Sequence, residues 1–573
     1  MPISLYFCIL LYFICCSATQ KNVTKDLYGK DVTAVPETLK DGATEVSFVG
    51  SQIGVIPKGA FSKNPQLELI EFLRTPATSI EEGAFEGLEH LKTIDISETQ
   101  VTSLPVGVFK DLTSLHKLIL KSSNIQRLEK GLFHDTRNLQ ILRMQDNKIS
   151  TIEEGTFDHL ENLTELNLGK NNLTSISSSL FSKLNKLKII RLNEIQLTSM
   201  PDGIFDNLPK LTEIEINGNR ITRIQSNLFP HKNILTTLLL DNNLLTELQP
   251  ELFMGFSALR KLKLNHNQLT ALPPLLFTET HNMIELFLNN NNFTSLPAGI
   301  FQSLNQLKKL DLSSNRFSTL SGDFFDGLKK LSELNLQNNL IEALKSEDFT
   351  NLESVSTLKL ENNKLRTIPR DVFDSLPKLK KIQLNNNAWH CDCNLLPMYK
   401  WMKENLPKIK SSSLVVCVYP EELKGQSITS LKEDQLICPI TLLTITNTMT
   451  VPTTTNALEA TQPTTTPSTT SSSTKATLTT TGILTTTTTS TTLSTTIATT
   501  TQPTTPTAEP TTASTALTDS VPTPEATTTT LFTTHKIWKT TPASTTPRTF
   551  VCSSYSNSLH PSPCMFAVCY CMW

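Results

Sequence analysis

Fourteen phenylalanines, from Phe61 and Phe85 through Phe349 and Phe373, stand 24 residues apart without a slip. A fixed period of this length is the signature of a stacked array, in which each turn of chain returns its side chains to the same place one layer along. The series takes 14 of the 26 Phe residues, so most of the aromatic content is scaffold rather than binding site. Inside each period runs the frame L-x-x-L-x-L-x-x-N, spelled by Leu163, Leu166, Leu168 and Asn171. It recurs at Leu211, Leu259, Leu307, Leu331 and Leu379, and traced back through degenerate residues it reaches Ala43, giving about fifteen units over 43–387.

This frame resembles that of the leucine-rich repeats. The fold class expected is an α/β repeat solenoid: a leucine-rich repeat horseshoe with a parallel β-sheet on the concave face. Strand alternation sends Leu166 and Leu168 inward and Glu165 and Asn167 outward. The repeated Phe fills the convex side between coils. One unit cannot bury its apolar face alone, so the stack shares one continuous core. The ninth-position Asn is a polar residue directed into the coil, tolerated because its amide can bond backbone groups of adjacent turns. Asn147, Asn171 and Asn219 onward to Asn387 fit this ladder. Ser51, Thr75, Thr99 and Ser123 replace it in the first four units, and Ile195 breaks it outright. The expectation is a looser or differently curved front and a local irregularity at Ile195.

A solenoid needs its ends covered. The frame stops at Asn387 and "AWHCDC" follows, with Cys391 and Cys393 joined further on by Cys417 and Cys438. A zinc site would draw on Cys391, Cys393 and His390, but adjacent and alternate ligands fit a tetrahedron poorly. A redox centre wants C-x-x-C, which is absent. The four cysteines therefore read as disulfides in a cap spanning 388–439, with three pairings open. "NLLPMYKWMKENL" reads as a short amphipathic helix with Leu396, Tyr399 and Trp401 able to cover the last coil.

"AWHCDCNLLPMYKW" with "VVCVYPEELKGQSITSLKEDQLICP" resembles the C-terminal flanking module of extracellular leucine-rich repeat proteins. That resemblance implies the pairs Cys391–Cys417 and Cys393–Cys438. Within the family, "EELKGQSITSLKEDQLICP" and "FSKNPQLELIEFLRT" are most similar to the non-catalytic subunits of plasma carboxypeptidases, with platelet adhesion receptors second. Such relatives carry a cysteine-bearing N-terminal cap, whereas 19–42 contains no cysteine and reads as a cap remnant. Either the first coil is covered differently or the front end is incomplete.

The flanks bound location. Residues 1–18, with the apolar "ISLYFCILLYFICC" before Ser17 and Ala18, read as a signal peptide, with an N-terminal membrane anchor as the alternative. Residues 440–548 are dominated by Thr, Pro, Ser and Ala and read as a disordered, mucin-like, O-glycosylated stalk reaching on the order of 300 Å at about 3 Å per residue. The tail 549–573 carries Cys552, Cys564, Cys569 and Cys571, which could form interchain disulfides, and holds no run long enough to span a membrane. N-glycosylation sequons fall at Asn22, Asn162, Asn172 and Asn292.

A formal net charge of −2 with no long basic run gives no electrostatic case for nucleic acid. No H-E-x-x-H, G-x-S-x-G or P-loop stands out, so no catalytic residue, metal ligand or cofactor site is assigned and the chain is expected not to be an enzyme. The expected function is protein binding on the outward strand row: Glu213 and Glu215, then Leu239, then Lys261, Lys263 and His266, then Glu285 and Phe287. The alternative is that these are solvated strand positions. The resemblance implies a secreted carrier whose partner is a zinc carboxypeptidase catalytic subunit, the metal belonging to that partner. A cell-surface adhesion receptor is the second reading and a rigid glycosylated matrix component the third.

Overall fold

The computed structural model describes residues 24–438. The signal peptide, Asn22, the last residue of the 388–439 cap, the stalk and the tail all lie outside those residues. Sixteen short strands, from Lys25–Tyr28 to Lys381–Gln383, form one sheet in which neighbours run parallel. The chain is a parallel solenoid of the leucine-rich repeat type. From Glu45 onward each paired residue meets the one 24 positions along: Glu45 with Leu69, Glu165 with Ile189, Lys359 with Gln383. A one-residue slip would turn every core leucine to solvent, so the interval in sequence enforces the register in space. Leu166, Ile190, Leu262 and Leu334 are fully buried at the strand centres. The entering coil is shorter, since Lys25 pairs with Glu45 after 20 residues.

The return path is made of turns, short 3-10 segments and two short parallel strand pairs, Val55–Ile56 with Ser79–Ile80 and Arg127–Leu128 with Thr151–Ile152; the one α-helix among the described residues is Leu396–Glu404 in the cap. The 24-residue phenylalanines stack along this return side. Phe61 and Phe85 lie 6.2 Å apart between ring centroids, Phe109 and Phe133 6.2 Å, and Phe277 and Phe301 6.2 Å, all near parallel. Phe256 inserts edge-on between Phe229 and Phe253, a perturbation no periodic position foretold. Among the described residues no ring contact joins Phe181 to Phe205, the interval that contains Ile195.

The asparagine ladder ties each coil to the one before. Asn171 donates from Nδ2 to the carbonyls of Met144 (3.0 Å) and Leu168 (2.8 Å), and its Oδ1 accepts from the Ile149 amide (3.0 Å). Asn219 through Asn387 repeat the pattern, for example Asn315 to Leu288, Leu312 and Phe293. The residue before each ladder position takes a left-handed φ near +55°, at Lys170, Asn242, Asn290 and Asn386 among others, which turns the chain off the sheet.

The front differs from the rest of the stack, in longer strand pairing rather than in the looser coils expected there. Among the described residues Ser51 Oγ and Thr75 Oγ1 are buried without a hydrogen-bond partner, while Thr99 and Ser123 bond each other at 2.8 Å. Strands there run five residues, Glu45–Val49, Leu69–Leu73 and Thr93–Ser97, against three farther on. Longer backbone pairing and the stacked rings of Tyr28, Phe48 and Phe72 (5.2 and 4.6 Å) take over the tying role. At Ile195 the irregularity is also present. Asn219 Oδ1 accepts from both Ile195 and Leu197 amides, and Gln196 adds a second left-handed residue (φ +70°) next to Glu194.

The last coil is closed by the cap. Trp389 is fully buried and donates from Nε1 to the Leu384 carbonyl (3.2 Å). Trp401 ends the phenylalanine stack, 4.6 Å from Phe373, while Met398, Tyr399 and Met402 are buried and Leu396 packs at the margin. Cys391 is joined to Cys417 and Cys393 to Cys438, with Cα separations of 5.7 and 4.8 Å.

Candidate protein-binding surface

Because the register is constant, the outward residues of the strands fall into two columns, one through Glu165, Ile189, Glu213, Thr237, Lys261, Glu285 and Lys309, the other through Asn167, Arg191, Glu215, Leu239, Lys263, Phe287 and Asp311. Seven of the eight sequence-nominated residues lie in these columns. His266 does not; it follows the strand in the left-handed turn (φ +53°), where its Nε2 accepts from Asn290 Nδ2 at 3.2 Å.

Glu213 and Glu215 are already engaged. Arg191 reaches both, at 2.6 and 2.9 Å, and also Glu165 at 2.9 Å, which Arg143 holds from the other side at 2.8 Å. Burial alone would raise the Glu165 carboxyl, but hydrogen bonds and charge from Arg143 and Arg191 outweigh it and hold it below the usual range. Burial wins at Glu215, whose carboxyl is pushed up despite Arg191, with Glu213 adding repulsion. These five side chains brace four neighbouring coils; a partner must compete with Arg191 for the glutamates. Arg143 and Arg191 escaped the sequence reading, though both stand 24-residue multiples from Leu239 in the same column.

The next coils are more open. Leu239 and Phe287 are half-buried on the outward face. The Lys263 and Lys309 ammonium groups lie 5.9 and 5.2 Å from the Phe287 ring centroid. Lys261 and Glu285 are 3.5 Å apart, and each keeps more than a third of its side chain exposed, so that pair contributes little to stability and can be rearranged. The result is an apolar ring framed by two cations, with a half-buried leucine nearby. Aromatic anchors surrounded by charge dominate protein interfaces. Lys309 is a member that the sequence reading missed, although it shares its column with Lys261 and Glu285.

Of the sequons within the described residues, Asn172 has an exposed side chain; Asn162 and Asn292 are half-buried, and Asn162 Nδ2 donates to the Arg137 carbonyl (3.0 Å). Among the described residues no group of three or more His, Cys, Asp or Glu is placed to hold a metal ion, and no helix is long and apolar enough to cross a membrane.

A BspA-type leucine rich repeat profile matches residues 43–148 and 128–260, and a second leucine rich repeat profile matches 281–341 and 330–388. The chain belongs to the leucine-rich repeat family. It is similar to Carboxypeptidase N subunit 2 of Homo sapiens, 36% identical over 53 residues that make up 9% of this chain and 10% of that protein. It is also similar to Adhesion G protein-coupled receptor A3 of Mus musculus, 40% identical over 48 residues, 8% of this chain and 3% of that one. The matches thus span a tenth or less of these relatives. Among solved structures it resembles the Toll–Spatzle complex of Drosophila (TM-score 0.54, 19% identity, 70% of this chain and 65% of that one). A leucine-rich repeat protein of Leptospira interrogans gives a TM-score of 0.54 at 24% identity, covering 62% of this chain and 96% of its own. These likenesses show the fold alone.

Proposed function

We propose that the chain is a secreted, non-enzymatic scaffold that binds a protein partner on its concave face, centred on Phe287. The observation that carries this reading is the half-buried Phe287 ring framed by Lys263 and Lys309, with Leu239 two coils away. The scaffold has a rigid sheet beneath and no need of that ring for its own core, since the phenylalanine stack on the return side is separate. Cap disulfides favour an oxidising, extracellular location. The partner we propose is a zinc carboxypeptidase catalytic subunit, held and stabilised as a carrier would hold it; the short match to Carboxypeptidase N subunit 2 supports this choice.

The test expresses the full chain in secretory cells, recovers it from medium without detergent, and captures it with plasma. Carboxypeptidase activity co-purifies with the wild type and is lost with Phe287→Ser at unchanged thermal stability. Retention of the chain on membranes, or capture without carboxypeptidase, removes the carrier reading and leaves the adhesion receptor.

A further inference from the structure

The cap adds more than closure to the sheet. Ile409 bridges Ile382 in parallel, and the Lys410 amide donates to the Ile382 carbonyl at 2.9 Å. The chain segment 408–410 thereby continues the sheet by one step past its last strand. Ile409 is buried, and alternation turns Lys408 and Lys410 to the same outward side as Lys381. Together with Lys359, Glu333 and Gln383 these lysines line a cavity of about 500 Å³ at the C-terminal end of the concave face.

Its charge is not balanced internally. Lys359 is matched by Glu333 at 2.7 Å. Among the described residues no carboxylate is ion-paired with Lys381, Lys408 or Lys410. Glu361 is buried close enough to feel the charges of Lys359 and Lys410, but burial pushes its carboxyl up toward the neutral form, and its Oε2 has no partner. One carboxylate in any case cannot balance Lys381, Lys408 and Lys410 together.

We propose that this corner docks an acidic, extended segment of a partner protein, one with carboxylates on alternate residues. Lys408 and Lys410 are two residues apart on a strand-like path, about 6–7 Å, which is the spacing of alternate side chains in an extended peptide. Lys381 stands one strand over, about 5 Å away in the pairing direction. Gln383 and Thr357 on the floor offer neutral hydrogen bonds, and Glu333 in the wall interrupts the positive surface. That mixture suits a peptide better than a repeating sulfated chain, for which every interruption is repulsive. The proposal rests on the scaffold reading but uses none of the residues around Phe287, so the two fail separately.

The experiment measures fluorescence anisotropy of a labelled Glu-Ser-Glu-Ser-Glu-Ser peptide with the full chain, at low and high salt. Its Gln-Ser counterpart is the control. Binding of the acidic peptide is expected, falling with salt, and about tenfold weaker in the Lys381→Gln, Lys408→Gln, Lys410→Gln triple variant, as three partly screened pairs would give. Lys263→Gln should leave it unchanged. Should the triple variant unfold, Lys381→Gln alone, at an exposed position, is expected to weaken binding about twofold. Equal binding by wild type and lysine variants, or equal binding of the Gln-Ser peptide, overturns the proposal. So does a sulfated oligosaccharide that binds more tightly than the peptide and loses affinity with the same substitutions.

Discussion

Replacing Asn171 by Leu isolates what the ladder contributes. The substitution keeps the branched shape, with bulkier methyl ends, and removes four hydrogen bonds, of which the longest, 3.3 Å to the Gly169 carbonyl, leaves that oxygen its Asp146 donor. The Met144 carbonyl retains a second donor, Asn147 Nδ2 at 3.0 Å. The Ile149 amide and the Leu168 carbonyl lose their partners. Two orphaned buried groups at about 1–3 kcal/mol each, less a gain of about 1 kcal/mol from burying Leu, predict a loss of about 1–5 kcal/mol. The same reasoning runs backward at Ile195, 24 residues on, where nature has made the swap. There the buried Leu173 amide has no hydrogen bond among the described residues, because the Asn that would accept from it is missing. Ile195→Asn restores three short bonds of about 1 kcal/mol each and loses a buried side chain of about 1.5–3 kcal/mol, so it should lie between neutral and about 1.5 kcal/mol more stable than wild type. Denaturant unfolding gives both values, and hydrogen exchange read by mass spectrometry localises them. In the wild type the Leu173 amide should exchange faster than the Ile149 amide despite equal burial. An Asn171→Leu variant with unchanged midpoint and unchanged Ile149 protection would refute the role assigned to the ladder.

Phe277→Ala, which removes a buried ring stacked 5.9 and 6.2 Å from its neighbours, should cost about 3–5 kcal/mol in denaturant unfolding, whereas Phe287→Ala should cost under about 1 kcal/mol. Breaking the Cys391–Cys417 link with paired serines opens a loop of separation 26, worth about 3.5 kcal/mol by chain entropy, and should red-shift the emission of Trp389 as the cap loosens. The Glu165 carboxyl is held below its ordinary range in the fold, so its contribution is full above the unfolded value near 4.5 and is lost as pH falls through the lower folded value. The urea midpoints of wild type and Glu165→Gln should therefore differ at neutral pH and converge in acid; a constant difference would contradict the ion network.

The interval of 24 made the coil, its register and its buried face legible, because periodicity in sequence is periodicity in space for a solenoid. Ile195 was legible as a fault for the same reason. The charge arrangement was only half legible. The columns follow from the register, but that one guanidinium bridges Glu165, Glu213 and Glu215 together depends on the reach and rotamer of a long side chain, which no period encodes. Phe256 looks like any turn residue until the coil around it is built. The lysine corner was hidden because Lys408 and Lys410 belong to the cap, whose path has no period, and only the bridge from Ile409 to Ile382 brings them beside Lys381. The pairing of cysteines came through resemblance, since spacing alone left three choices.

Hydroxyl-radical footprinting of the full chain, read peptide by peptide, distinguishes aromatic rings that hold the coils together from the ring offered to a partner. The account predicts oxidation at Phe287, protection of Phe253, Phe277 and Phe301 in the return-side stack, and loss of the Phe287 signal when the partner is bound. Oxidation of the stacked phenylalanines at the rate of Phe287, or an unchanged Phe287 signal in the complex, would contradict it.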